Sequence, residues 1–124
     1  NENVNSMGEN AFTKKKVEVQ TLDAYAMERN LNRIDFIKLD VEGYELECLK
    51  GAHSTIDKFS PTILFEHDPK RLSNIGKDEV EFFEILKSIN YTAYELRSFG
   101  ANTTLLPYRF DGTIKGRDLI AFRN

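Results

Sequence analysis

The sequence predicts an α/β fold, a three-layer arrangement around a mostly parallel sheet that closes with an antiparallel hairpin. Three observations carry this. Strand-like and helix-like segments alternate along the chain with short connections, as in βαβ units. Two β-rich runs, residues 34–39 and 62–66, are nearly continuous in apolar residues, as strands buried on both faces are. The last two strand patterns, 91–97 and 118–123, have no helix pattern between them, so they pair antiparallel across a long loop.

Each element has its own reason. Residues 1–15 are polar and Asn-rich, and read as a flexible N-terminal segment. Residues 16–20 alternate polar and apolar around Val17 and Val19, a short half-buried strand. Thr21 caps a helix over 22–30, with Asp23 in its first turn and Leu22, Tyr25 and Ala26 on one face. The strand over 34–39 ends at Asp40, and Gly43 permits a sharp turn. Helices follow over 44–50 and 52–58, divided at Gly51. Pro61 precedes the strand over 62–66, which ends in Glu66. His67-Asp68-Pro69 reads as a loop. Asp78 caps a helix through Ile89, whose apolar face is Val80, Phe82, Phe83, Leu86 and Ile89. Asn90 ends it in the left-handed conformation. Residues 98–116, with Gly100, Pro107, Gly112 and Gly116, read as loop.

The composition narrows the classes. The chain has 124 residues, a length that predicts one domain. Hydrophobic residues at 40% against 30% charged exclude a disordered chain, and no apolar run is long enough to span a membrane. The net charge of −3 speaks against nucleic acid as a partner. Lys14, Lys15 and Lys16 form one basic run, read as a solvated lead-in. The lone Cys48 excludes an internal disulfide and a cysteine-cluster zinc site, and fits a reducing, cytoplasmic compartment.

The residues with chemical potential gather at the carboxyl ends of the two core strands, where open α/β sheets bind ligands. They are Asp40, Glu42 and Glu66, with His67 following. Two roles are open to these acids. They serve a site, or Glu42 and Glu45 are helix N-terminal charges and Asp40 caps a turn. The spacing of Asp40, Glu42, Glu66 and His67 is not diagnostic of a metal, and none is expected. His67 is a candidate general base. His53 and Cys48 read as inert. The seven glycines form neither G-x-G-x-x-G nor a P-loop.

Four strings, taken together, carry a resemblance: Thr21-Leu22-Asp23, the run from Ile34 through Lys38-Leu39-Asp40-Val41-Glu42-Gly43-Tyr44-Glu45, Leu49-Lys50-Gly51-Ala52, and Pro61-Thr62-Ile63-Leu64-Phe65-Glu66. Over residues 17–67 the chain resembles the second half of FkbM-type methyltransferases, which are class I (Rossmann-like) S-adenosylmethionine-dependent enzymes. Many of them methylate hydroxyls of sugars, glycolipids or polyketides. The resemblance implies the sheet order 3-2-1-4-5-7-6, of which this chain carries strands 4 to 7. The family's glycine-rich turn and the acid that binds the ribose are not in this sequence. The chain therefore reads, over 16–124, as the C-terminal half of a methyltransferase-like domain, a partial fold.

What the resemblance implies for residues is limited. Asp40 stands where these enzymes place a residue between the cofactor methyl and the acceptor, and is the first choice to take the hydroxyl proton, with His67 second. Asp40, Glu42 and Gly43 shape the corner that holds S-adenosylmethionine. Glu66 and Glu42 face the acceptor, a small molecule or a glycan. The competing reading is a non-catalytic α/β binding or scaffold module descended from the same family. Without the first half, the 34–39 strand has an open edge. Either residues 17–20 cover it or two chains pair through it, and a homodimer is the expectation.

Overall fold

A computed structural model describes residues 15–109 and 115–124. The flexible segment read over 1–15 lies almost wholly outside the described residues. The elements are α1 (Leu22–Glu28), β1 (Phe36–Leu39), α2 (Glu45–Lys50), α3 (His53–Phe59), β2 (Thr62–His67), α4 (Pro69–Asn74), α5 (Glu79–Ser88), β3 (Tyr91–Phe99), β4 (Asn102–Pro107) and β5 (Arg117–Arg123). The five strands form one sheet in the order β1-β2-β5-β3-β4. The first four of these stand in the order 4-5-7-6 that the resemblance implies.

The sheet corrects the expected pattern of directions. Only β1 and β2 pair in parallel, with Leu39 beside Phe65. β5 runs antiparallel between β2 and β3, and β4 pairs antiparallel with β3. The segments 91–97 and 118–123 do pair antiparallel, as β3 and β5; β5 also lies beside β2, so this one reversed strand turns two pairings antiparallel, and β4 adds a third.

The layers are also fewer than expected. Alternate residues of the strands, Ile63 and Phe65 of β2, Leu119 and Ala121 of β5, and Tyr91 and Ala93 of β3, join Leu46, Leu49, Ile56, Phe82 and Leu86 of the helices in one core. Phe65 and Phe82 meet with ring centroids 4.6 Å apart. The other face, with Leu64, Tyr94, Ile120 and Phe122, is half-buried. Among the described residues the arrangement is therefore two-layered, with helices on one side.

Three local readings change. Residues 16–20 form no strand, and Val17 and Val19 are 69% and 91% exposed. Period-two alternation makes a strand only when a neighbour supplies the ladder. The stretch read as loop over 98–116 contains β4. Gly100, with φ 61°, makes the turn of a β3–β4 hairpin in which Ser98 stands beside Thr103. The His67-Asp68-Pro69 loop is in fact a helix start. The Asp68 side chain accepts from the Arg71 N–H at 3.0 Å and Pro69 occupies the first turn.

Two of the strings that carry the resemblance, Thr21-Leu22-Asp23 and Leu49-Lys50-Gly51-Ala52, meet in one packing device. Thr21 Oγ1 accepts from the Ala24 N–H at 3.1 Å and caps α1. Asp23 then reaches across to α3, accepting from the N–H groups of Ser54 (3.0 Å) and Thr55 (2.7 Å). α3 has no cap from its own N-terminal residue, so α1 caps it from outside. The Asp23 N–H donates to the Gly51 carbonyl at 2.9 Å. A Cβ on Gly51 would lie 3.2 Å from Thr21 Cγ2, which is why glycine suits this close approach.

Candidate functional site

β1 and β2 end side by side, so Asp40 and Glu66 stand at the same end of the sheet. Both line a cleft of about 330 Å³ with Lys38, Leu64 and Asp118. Lys38 Nζ donates to the Asp40 carboxylate at 3.0 Å. Residues two apart in a strand point to the same side, and this pair follows from that period. Asp118 is the first outward residue of β5 and stands directly beside Glu66. The cleft thus gathers three carboxylates and one ammonium.

The turn after Asp40 is built for a fixed shape. Glu42 and Gly43 both have positive φ, 55° and 98°. Such a conformation costs a non-glycine residue of order 1 kcal/mol or more, so the surroundings must enforce it. The buried Glu45 does so. One carboxylate oxygen accepts from the N–H groups of Val41 and Gly43, each at 3.3 Å. Lys77 closes the other side. It donates to the Gly43 carbonyl at 3.2 Å and to Glu47 at 2.5 Å, and lies 4.1 Å from the centre of the Tyr44 ring. Burial draws the Glu47 carboxyl upward, and the Lys77 ammonium more than offsets this and holds it below its ordinary value.

Glu42 and Glu66 share one partner. Arg71 of α4 bonds Glu66 at 2.9 Å and Glu42 at 3.2 Å, with Asp68 at 3.8 Å. The hydrogen bond to Glu66, with the nearby carboxylates, raises the pKa of this guanidinium further. The two residues read as facing an acceptor are therefore held by a cation from a helix that the sequence reading did not place.

His67 is not part of this cluster. It faces the core side of β2, is 3% exposed, and its Nε2 lies 2.7 Å from Glu79. Phe83 and Tyr108 meet the imidazole edge to face at 5.1 and 5.4 Å. Burial pushes its pKa below the ordinary value against the pull of Glu79. A sealed imidazole on the opposite face from Glu66 cannot reach an acceptor at Asp40. The reading of His67 as a proton acceptor gives way to that of a lock between β2 and α5.

The resemblance assigns the corner at Asp40, Glu42 and Gly43 to S-adenosylmethionine. Both backbone groups of Gly43 are engaged within the chain, and Glu42 is bound to Arg71. The groove beside β1, about 810 Å³, has an apolar floor of Ile37, Leu39, Val41, Leu49 and Ile56, with Gln20, Thr21, Tyr25, Tyr44 and Glu47 as its polar lining. Cys48 borders this groove half-buried, and burial with Glu45 and Glu47 nearby pushes its thiol pKa up, away from nucleophilic use. Among the described residues, no group of three His, Cys, Asp or Glu side chains is placed to hold a metal ion.

The comparison with protein families decides the family. The model of the Methyltransferase FkbM domain matches residues 1–96. The chain belongs to the FkbM methyltransferase family. The match runs past both ends of the 17–67 resemblance and includes α4, α5 and most of β3. No curated protein and no solved structure matches the chain. No helix among the described residues is long and apolar enough to cross a membrane.

Sequence reasoning missed Lys38, Arg71, Lys77 and Asp118. The Lys38-x-Asp40 spacing was a usable signal. The other three depend on α4, the Lys77 loop and the register of β5, which no local pattern announces.

Proposed function

We propose that this chain is the acceptor-side half of an S-adenosylmethionine-dependent O-methyltransferase domain, acting in the cytoplasm on a hydroxylated small molecule or glycan. The observation that carries the reading is the cleft shared by Asp40, Glu66 and Asp118 at the carboxyl end of β1 and β2 in a chain of this family. Methyl transfer to a hydroxyl needs placement of the oxygen and a base for its proton. Asp40 is the group for the proton. Lys38 fixes its orientation, and Glu66, held by Arg71, supplies a hydrogen-bond acceptor for a neighbouring hydroxyl. The sequence has no glycine-rich turn for the cofactor, and Gly43 has no backbone group left to donate. The chain alone therefore binds S-adenosylmethionine weakly or not at all, and calorimetry with the cofactor tests this. A micromolar dissociation constant contradicts the half-domain reading.

The same reading leaves β1 at the sheet's edge, and two chains pair there as a homodimer. The Thr62 N–H donates to the Asp35 carbonyl at 2.9 Å, so odd residues of β1 face β2 and the N–H of Lys38 faces outward. Phe36, beside it, is exposed. Lys38→Pro removes that outward N–H and no bond of the β1–β2 ladder. Light scattering is expected to show a dimer for the parent chain and a monomer for the variant. A monomeric parent chain contradicts the pairing.

A further inference from the structure

The turn after Asp40 is strained and must be held. Glu42, two residues on, takes φ 55°, a conformation that a side-chain-bearing residue avoids. Within the segment, the Tyr44 N–H donates to the Val41 carbonyl at 3.2 Å, and Glu45 accepts from the N–H groups of Val41 and Gly43. These bonds are local and move with the segment, so they do not fix it against the rest of the fold. Arg71 and Lys77 reach it from beyond α2. The Arg71–Glu42 pair faces solvent, with the Glu42 side chain 74% exposed, and such pairs are weak. Lys77 is only 18% exposed and grips the backbone itself, at the Gly43 carbonyl.

Lys77 is itself delivered by a fixed piece of backbone. Gly76, with φ 70°, ends α4 in a left-handed turn. There the Lys77 N–H donates to the Leu72 carbonyl at 2.9 Å and the Gly76 N–H to the Ser73 carbonyl at 3.1 Å, the paired bonds that close a helix at a glycine. Asp78, the next residue, caps α5 by accepting from the Val80 N–H at 2.8 Å. The Lys77 backbone is thus pinned between the end of one helix and the start of the next. Its ammonium is shared between the Gly43 carbonyl and Glu47 of α2, so one side chain joins the turn, α2 and the α4–α5 connection.

We infer that Lys77 is a positioning residue for Asp40: it ties the turn that follows this carboxylate to α2 and the end of α4, and so fixes where β1 delivers it. The role of Asp40 rests on the methyltransferase reading, and the tie on the bonds of Lys77. A general base works only within hydrogen-bond reach of its proton, and small misplacements are costly. A turn that relaxes therefore lowers turnover although every group that would touch the acceptor is still present.

The test compares Lys77→Met, which keeps the stem and loses the donor, with Lys77→Arg, which keeps a cation and its donors. Lys50→Met is the control, since it removes a bond of like length, 2.6 Å to Glu81, between α2 and α5. In the 124-residue chain, hydrogen exchange read by nuclear magnetic resonance is expected to quicken at the buried Gly43 amide at least about tenfold in Lys77→Met, the scale of one lost charge-assisted hydrogen bond. Lys50→Met is expected to leave that amide as in the parent. In the complete enzyme, kcat per folded molecule is expected to fall at least about tenfold in Lys77→Met, with KM for the acceptor within about threefold of the parent and most of the turnover restored in Lys77→Arg. A merely structural lysine would lower the folded fraction, read by circular dichroism at the assay temperature, and leave both constants of the folded enzyme in place. Unchanged exchange at Gly43, faster exchange with parental kcat, or a raised KM with kcat intact overturns the inference and leaves the methyltransferase reading standing. A parent enzyme without methyl transfer counts against that reading, and the exchange at Gly43 then decides the tie on its own.

Discussion

Replacing Asp23 by alanine removes a cap that one helix lends another. In the native chain its carboxylate accepts from the N–H groups of Ser54 and Thr55, and α3 has no side-chain cap of its own. The first turn of α3 then exposes two unpartnered donors. Loss of a capping acid costs about 1 kcal/mol and up to about 2. The site is only partly buried, so water relieves some of the loss and the upper figure is a bound. A chain of 124 residues has an unfolding entropy of about 0.26 kcal/mol/K at its midpoint. Asp23→Ala should therefore lower Tm by roughly 4–8 °C, the quotient of these figures. The effect carries a pH signature. Burial raises the Asp23 carboxyl, but the Thr55 and Ser54 hydrogen bonds outweigh it and hold the folded value below the ordinary one. The group's contribution is complete above the unfolded value, near 4, and is lost as pH falls through the folded value. Thermal melts by circular dichroism at pH 7 and in acid read both parts. A Tm unchanged at pH 7, or a deficit equally large in strong acid, refutes the reasoning.

Gly43→Ala should destabilise more than Gly76→Ala. Both residues have positive φ, but a Cβ on Gly43 would sit 2.8 Å from Ile75 Cδ1, whereas Gly76 has nothing within 4 Å. Urea melts should show both losses, about 1–2 kcal/mol from backbone strain alone, with the excess at Gly43; equal losses contradict the contact. His67 is held neutral by burial, so its stabilisation is complete above about pH 6.5 and erodes as pH falls below it. His67→Gln should flatten the stability profile below about pH 6.5, and an unchanged slope in chemical denaturation excludes the lock.

Much of the fold is legible because local chemistry and tertiary structure agree there. Thr21 caps α1, Asp78 caps α5, and Asn90 takes the left-handed conformation with φ 60°, each as its residue type predicts. The strands of β1 and β2 follow from their apolar runs, and Asp40 and Glu66 come to one end because those strands pair in parallel. The misreadings share a cause. Val17 and Val19 have strand periodicity but no neighbour to pair with. β4 is an exposed edge strand, so it carries no buried face to betray it. Asp68-Pro69 is both a turn signal and a helix start, and only the partners of Arg71 decide which. Arg71, Lys77 and Asp118 enter the site through long-range placement, which a periodicity does not encode. His67 sits next to Glu66 in sequence and on the opposite face of the sheet, because successive strand residues alternate.

The most direct test is methyl transfer from labelled S-adenosylmethionine to a hydroxylated acceptor, measured on the complete enzyme with Asp40 intact and with Asp40→Asn. The account predicts measurable transfer by the parent. It predicts a loss of on the order of 10²–10⁴ in turnover for the variant, with thermal stability unchanged. Near-normal turnover in Asp40→Asn would contradict the assignment of the proton to this carboxylate, and a parent without transfer to any hydroxyl would contradict the methyltransferase reading itself.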